Sequence, residues 1–180
     1  CVCGLFYQAG IAVVITLSAV YAQLVMKFTT AQTITLILVV NITAAIGAFV
    51  FGYVQDRLGH KKTLALTILL WIIMGVMAAF SHGPVSFWIA ANIAGIAMGS
   101  SQSAGRAVVA VFAPAGELAQ FYSAWNVAVW GANVLGPITY GTVTWLTSGD
   151  QRTAILVTTL FFVIGLLILR RVHLPSKTVC

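Results

Sequence analysis

Charged residues, and acidic ones above all, are scarce in this sequence. Only three Asp and Glu occur among 180 residues, and charged residues together make up 7% of the chain. Soluble domains carry about 25% charged residues, so this chain cannot cover a surface in water. Its residues are instead 61% hydrophobic, with a mean hydropathy of +1.03. This composition predicts an integral membrane protein.

Cysteine is also rare, and Cys1, Cys3 and Cys180 lie at the chain ends. Three is an odd number, and a membrane bundle does not need a disulfide scaffold. Cys1 and Cys3 could ligate a metal, but a lone Cys-x-Cys pair is a weak signal for a metal site. We therefore expect no metal and no cofactor. The net charge of +6 comes from short Lys and Arg clusters between apolar runs. Because no basic stripe interleaved with aromatics is present, nucleic acid is not an expected partner.

Six apolar runs account for nearly the whole chain, and each is long enough to cross a bilayer as a helix. Helices are required because lipid offers no partner to an unpaired backbone group. The sequence therefore predicts an all-α polytopic membrane protein, with residues 1–180 forming a single bundle of six transmembrane helices. The predicted spans are residues 5–26, 33–54, 64–80, 87–111, 118–146 and 153–169.

The Lys and Arg residues are unevenly divided between the two ends of these runs. One side holds only Lys27 and Arg152. The other holds seven cations: Arg57, Lys61, Lys62, Arg106, Arg170, Arg171 and Lys177. Since basic loops remain in the cytoplasm, we expect the 2–3 loop, the 4–5 loop and the C-terminus there. With an even number of spans, the N-terminus is then cytoplasmic too.

Small residues recur every four positions on three of the runs. Such faces allow two helices to approach closely, so they predict tight packing within the bundle. The sets are Ala44, Ala48 and Gly52; Ala91, Gly95, Gly99 and Ser103; and Ala128, Ala132 and Gly136.

The most informative segment joins the second and third runs. Gly52 permits close helix approach, and Gly59 permits a tight turn. Asp56 can accept hydrogen bonds from nearby helix-start N–H groups or pair with a basic neighbour. The segment resembles the G-x-x-x-D-R-x-G-[RK]-[RK] signature of the major facilitator superfamily. Gly52, Asp56, Arg57, Gly59 and Lys61 match it, and His60 occupies a position that is usually basic.

This resemblance implies a transporter of two six-helix halves that carries a small solute by alternating access. The five matching residues and Lys62 would form a conformational-switch loop, and the second half and the lipid bilayer would be partners. We therefore expect secondary active transport and no enzymatic activity. A six-helix scaffold that transports nothing remains an alternative.

Four further stretches are similar to the C-terminal half of the vacuolar amino-acid effluxer branch of that superfamily. They are residues 6–10, Gly105-Arg106, Pro114 with residues 117–122, and Leu135-Gly136-Pro137. The similarity implies a permease for amino-acid efflux. The chain departs from the branch at Gln8-Ala9, where Asn-Asp is usual, and at Ala107, where Ser is usual. Gly131, Gly136-Pro137 and Gly141 also resemble the Gly-Pro motif of drug/proton antiporters, so an N-terminal half stays open.

Polar residues at membrane depth are costly and often functional. On the fifth run they recur every three or four residues, which places them on one face that lines a cavity or bonds to a neighbouring helix. Arg106 could bind an anionic substrate group or extend to the interface. All three acids lie near span ends, so the coupling group is expected elsewhere. The substrate-path candidates are Gln8, Gln102, Arg106, Asn126, Trp130, Asn133 and Tyr140.

Overall fold

The computed structural model describes residues 2–81, 83–114 and 116–171, and within them it contains six α-helices and no strand. The all-α prediction is therefore confirmed for the described residues. Cys1, Lys177 and Cys180 lie outside them. The helices are α1 (Val2–Leu24), α2 (Thr30–Leu58), α3 (His60–Ala79), α4 (Pro84–Phe112), α5 (Leu118–Leu146) and α6 (Gln151–Arg171).

Three of these helices, α2, α3 and α6, are long and apolar enough to cross a membrane. Helix α1 adds a fourth span if its two parts, bent by 48° between Thr16 and Ser18, are taken together. Helices α4 and α5 are each 29 residues long but are not among these apolar spans. Multiple apolar membrane helices are thus present, whereas six crossings remain a prediction.

The start and end of α2 follow from its capping residues. The Thr29 hydroxyl accepts the Gln32 backbone N–H at 3.3 Å, and the Gln32 side-chain oxygen accepts the Thr29 backbone N–H at 2.9 Å. This reciprocal pair satisfies two donors that the helix leaves free. At the other end, Gly59 stops the helix with a φ of 81°. The helix therefore continues to Leu58, four residues past the predicted span end, because charged residues do not break a helix.

The helices form two repeats, α1–α3 and α4–α6, with matching contacts. Helix α1 packs against α5 and α6, α4 packs against α2 and α3, and α3 packs against α6. Exchanging the two repeats converts the α1–α5 contact into α4–α2 and the α1–α6 contact into α4–α3, and it leaves the α3–α6 contact unchanged. Because each repeat has three helices, the second begins at the opposite end of the bundle, as in inverted repeats of transporters.

Glycines allow the closest helix approaches in both repeats. A side chain at Gly99 would collide with the Ala44 carbonyl oxygen on α2, and one at Gly136 would collide with the Ala9 carbonyl oxygen on α1. Gly95 likewise contacts α2 closely, which agrees with the predicted packing role of small residues. Gly52 does not, because the space beside it is open. The expectation that Gly52 allows a close approach is therefore wrong within the described residues.

The α3–α6 pair is joined at its middle and at both ends. In the middle, the rings of Trp71 and Phe162 stack with centroids 5.2 Å apart and planes 4° apart. At one end the Lys61 ammonium donates to the Arg170 carbonyl at 3.0 Å. At the other the Arg152 guanidinium donates to the Ser81 carbonyl at 2.9 Å. Lys61 and Arg170, which were predicted to lie on the cytoplasmic side, are thus at one end of the pair. Arg152, which was predicted to lie on the opposite side, is at the other end.

Candidate functional site

A single glycine separates α2 from α3. Gly59 donates its backbone N–H to the Gln55 carbonyl at 2.9 Å, and its own carbonyl accepts the Thr63 N–H at 3.1 Å and the Thr63 hydroxyl at 3.0 Å. The positive φ at this position is costly for residues that have a Cβ. The predicted tight turn at Gly59 is therefore present, with both helices bonded to the same residue.

The charged residues of the predicted switch loop belong to the helices that flank this turn. Asp56 and Arg57 lie exposed in the last turn of α2, and Lys62 lies exposed in the first turn of α3. The placement of Asp56 in a connecting loop is thus corrected. Among the described residues, no donor bonds to the Asp56 carboxylate. The hydrogen bond or ion pair expected for Asp56 is therefore absent from this part of the chain. Lys61 instead joins this turn to the end of α6.

The opposite end of the bundle holds a polar cluster that the sequence did not single out. Asp150 accepts the Arg152 backbone N–H at 3.0 Å and the Thr153 hydroxyl at 2.5 Å. The Thr153 hydrogen bond is the main reason why the pKa of Asp150 lies below its usual value. The Tyr21 hydroxyl donates to the Ala78 carbonyl at 2.9 Å, which fixes α1 to α3.

Three substrate-path candidates lie together on the exposed side of α5. Asn126, Trp130 and Asn133 are all exposed, and Trp130 retains 71% of its accessible surface. Within the described ranges, neither asparagine amide has a hydrogen-bond partner. Tyr140 does not share this face, because it is buried and its hydroxyl donates to the Gln151 side-chain oxygen at 2.5 Å. The predicted single polar face therefore ends before Tyr140.

The remaining candidates lie in different surroundings. Gln8 on α1 is buried with 4% exposure, Gln102 on α4 is half-buried, and Arg106 is exposed near the end of α4. The Arg106 backbone carbonyl accepts the Tyr122 hydroxyl at 3.1 Å. The structure thus does not gather the seven candidates into one pocket.

Tyr7 is a buried polar residue that the prediction left out. Its side chain is 1% exposed, its ring lies 6.1 Å from that of Trp125, and its hydroxyl has no hydrogen-bond partner within the described part of the chain. The signal available in the sequence was a phenol within an apolar run, next to Gln8. The described residues also contain no group of three His, Cys, Asp or Glu side chains suited to a metal ion.

The same arrangement of helices occurs in solved transporter structures. One is the inward open conformation of the xylose transporter XylE from E. coli, with a TM-score of 0.79, 19% identity, and coverage of 96% of this chain and 46% of that one. Another is a D-xylose-proton symporter, with a TM-score of 0.76, 19% identity, and coverage of 97% and 47%. The described residues therefore share the fold of these two transporters over nearly the whole chain.

A comparison with family models assigns the chain to one family. A family model described as "Vacuole effluxer Atg22 like" matches residues 1–179. The chain therefore belongs to the Atg22-like vacuole effluxer family, which confirms the resemblance inferred from its motifs. Because this is a transporter family, the prediction that the chain is not an enzyme is also confirmed.

Two curated bacterial relatives agree with this assignment. The uncharacterized MFS-type transporter YxiO of Bacillus subtilis is 27% identical over 96% of this chain and 40% of its own length. A putative metabolite transport protein of Haemophilus influenzae is 33% identical over 72% of this chain and 32% of its own length. The chain thus spans less than half the length of each.

Proposed function

We propose that this chain is one half, the C-terminal half, of a secondary active transporter that moves a small solute by alternating access. In this proposal residues 1–180 form one bundle, and all six helices cross the membrane. The coverage of 46% of XylE and 40% of YxiO supports a half, since the matched part folds as one six-helix unit. The missing partner is the other six-helix half.

The exposed face of α5 is the observation that most supports this proposal. Asn126 and Asn133 present amides without hydrogen-bond partners among the described residues, whereas the exposed Asn41 on α2 donates to the Ile37 carbonyl of its own helix at 2.8 Å. An unpaired amide facing lipid is unfavourable. This face is therefore suited to the other half or to a solute path between the halves, together with Trp130.

The charge distribution supports an orientation. Arg57, Lys61, Lys62, Arg106 and the arginines of the α6 end lie at one end of the bundle, opposite Lys27 and Arg152. By the positive-inside rule the first end is cytoplasmic. In our proposal both chain termini lie there, and the turn at Gly59 faces the cytoplasm.

We assign the switch role to the α2–α3 turn in the same proposal. Asp56 is exposed and lacks a partner among the described residues, so it is available to bond with the other half in one of the two access states. Replacing Asp56 with Asn keeps its shape and removes its charge. We expect Asp56→Asn to slow transport while membrane insertion stays normal, and unchanged transport would argue against the switch role.

The solute class is supported by the motif resemblance, and the efflux direction by family membership. The family description names a vacuole effluxer, and the motif resemblance implies amino acids as cargo. We propose an amino-acid permease that works in efflux. The chain has no acidic residue in the middle of an apolar run, so the coupling group would lie in the other half.

Transport by the full-length protein in lipid vesicles tests the proposal. Neutral amino acids and D-xylose would be offered in turn, with and without a proton gradient. We expect flux of at least one amino acid, and a roughly tenfold loss in Asn126→Leu and Asn133→Leu, which corresponds to about 1.4 kcal/mol. Thr142→Val is the matched control, because this exposed α5 hydroxyl already bonds to the Ile138 carbonyl at 2.8 Å.

Two results would contradict this proposal. Absence of flux for every compound in the folded protein would favour the non-transporting scaffold. Equal flux in the asparagine variants and in Thr142→Val would show that the exposed face of α5 does not contribute to the path.

A further inference from the structure

We propose that Tyr7 is a positioning residue for the change of access state, and that its hydroxyl bonds to the Gln102 amide of α4 in the state opposite to this one. The inference rests on the proposed alternating-access function. In this structure Tyr7 is 1% exposed, and its hydroxyl has no hydrogen-bond partner within residues 2–81, 83–114 and 116–171. A buried hydroxyl of this kind has lost its bonds to water and gained none in return. A different arrangement of α1 and α4 can remove that cost.

Two tyrosines on α1 are equally buried and differ in their bonding. Tyr21 is also 1% exposed, but its hydroxyl donates to the Ala78 carbonyl at 2.9 Å. The Tyr7 hydroxyl instead rests against Gly105 on α4, because a Cβ atom at that glycine would lie 2.5 Å from it. The ring of Trp125 occupies the same recess, 3.2 Å from that Cβ position. The recess at Gly105 therefore holds the phenol without bonding to it.

A polar side chain that lacks a bond lies one turn away on α4. Gln102 precedes Gly105 by three residues, so the two share one side of the helix, about 4.5 Å apart along its axis. Gln102 is half-buried, and its amide forms no hydrogen bond in the described part of the chain. Ser101 already accepts the Trp71 indole N–H at 3.2 Å, and Arg106 is exposed. Since an amide both donates and accepts, a shift of less than one turn would pair Tyr7 with Gln102.

Helix α1 has a first part that can move and a second part that is fixed. The helix bends by 48° between Thr16 and Ser18. After the bend, the Tyr21 hydrogen bond joins it to α3. Before the bend, one side-chain hydrogen bond to another helix is found among the described residues, from the Cys3 thiol to the Gly165 carbonyl at 3.2 Å. A thiol is a weak donor, so the first part can shift against α4 with little loss of hydrogen bonding.

Alkylation of Cys3 tests this proposal without any measurement of transport. Cys3 is half-buried, precedes Tyr7 by four residues and therefore shares its face of α1. The full-length protein would keep Cys3 as its only cysteine, with Ser at the other positions, and react in lipid vesicles with a membrane-permeant maleimide. The rate then reports how often the first part of α1 leaves its place on α6.

We expect Tyr7→Phe and Gln102→Leu each to slow this alkylation about fivefold, the size of one hydrogen bond between neutral groups. Each variant removes the bond that stabilises the other state. The double variant should be no slower than either single variant, because the two side chains act through one bond.

Tyr21→Phe is the matched control, since it removes an equally buried hydroxyl that already has a partner. It should lower the melting temperature, and its effect on alkylation should add to that of Gln102→Leu. Tyr7→Phe should leave the melting temperature unchanged or raise it, because this state loses no bond.

Three results would overturn the inference. A decrease in melting temperature for Tyr7→Phe as large as for Tyr21→Phe would show that the Tyr7 hydroxyl is already paired in this state. Unchanged alkylation in Tyr7→Phe would show that it is unpaired in both states. Additive effects in the double variant would show that Gln102 is not its partner. Slowed, non-additive alkylation in a protein that transports nothing would support the inference and contradict the proposed transport function.

Discussion

Helices α2 and α5 occupy equivalent positions in the two repeats, yet their exposed faces differ. Helix α2 exposes the large apolar side chains of Leu38 and Phe49, and its exposed Asn41 is bonded within the helix. Helix α5 exposes Trp130 between two asparagines that have no partner among the described residues. Equivalent positions in the fold therefore expose different polar groups: the amide of α2 is bonded within its helix, whereas the two amides of α5 have no partner among the described residues.

Inside the bundle, by contrast, the repeats are alike. Trp71 and Phe162 are 91 positions apart, and so are Lys61 and Arg152. The contacts between α3 and α6 thus keep a symmetry that the outer faces have lost. If this inner symmetry extends to the energetics, equivalent substitutions in the two repeats should have similar effects.

The stacked rings should contribute the most stability. Removing a buried aromatic ring costs about 3–5 kcal/mol, through lost transfer energy and the cavity left behind. We expect Trp71→Ala and Phe162→Ala each to lower the free energy of unfolding by this amount, measured by denaturant titration in detergent. Trp145→Ala, at a residue that is 79% exposed, should have little effect. A large loss of unfolding free energy in only one of the two variants would contradict the symmetry between the repeats.

The glycine contacts should come next. Gly99→Val and Gly136→Val each force a side chain against a backbone carbonyl of the neighbouring helix. Overpacking of this kind costs about 1–3 kcal/mol, and we expect similar losses of unfolding free energy for the two variants. Gly141→Ala is the control, because the space beside it is open. If only one of the two valine variants kept its free energy of unfolding, the α2–α4 and α1–α5 contacts would not be equivalent.

The end bonds of the α3–α6 pair should have smaller effects. Lys61→Met and Arg152→Met remove a charged donor and keep much of the side-chain length. Hydrogen bonds to charged groups are worth about 1.5–3 kcal/mol, and partial exposure reduces this to about 1 kcal/mol. Thermal unfolding should show Arg152→Met as the more damaging, because Ser81 is buried whereas Arg170 is exposed. The reverse order would contradict this dependence on burial.

The smallest effect should come from Asp150, which is fully exposed. Its pKa is lowered in the folded state, so its contribution is present above the usual aspartate range and is lost as the pH falls through the folded pKa. Asp150→Asn should lower the melting temperature slightly at neutral pH and not in strong acid. Thr153→Val should do the same, since it removes the main cause of the shift. A decrease that persists in acid would exclude this origin.

The apolar pattern predicted much of the helical structure. Helix α5 occupies residues 118–146, the same as the predicted run, because Pro114 and Gly116 precede it. The C-terminal end of α2 was less predictable. Charged residues end a membrane span without ending the helix, and Gly59 is the residue that stops α2.

The site was harder to predict because helical spacing does not show which face a neighbour covers. Helical spacing places Tyr140 on the same face as Asn133. The Tyr140 hydroxyl instead bonds to Gln151 at the start of α6. Arg152 was counted only as a charge, although its role depends on the Ser81 carbonyl, which is 71 residues away in the chain. Contacts of this length follow from the tertiary packing and leave no local pattern in the sequence.

The three joints of the α3–α6 pair together have a mechanical consequence. Lys61 and Arg152 each lie ten residues before the ring stacked at the middle, which is about 15 Å along a helix. A slide of α3 past α6 by one turn, about 5.4 Å, would break both end bonds and unstack the rings at once. The pair therefore resists shear, and α3 and α6 should behave as one rigid unit whose register stays fixed.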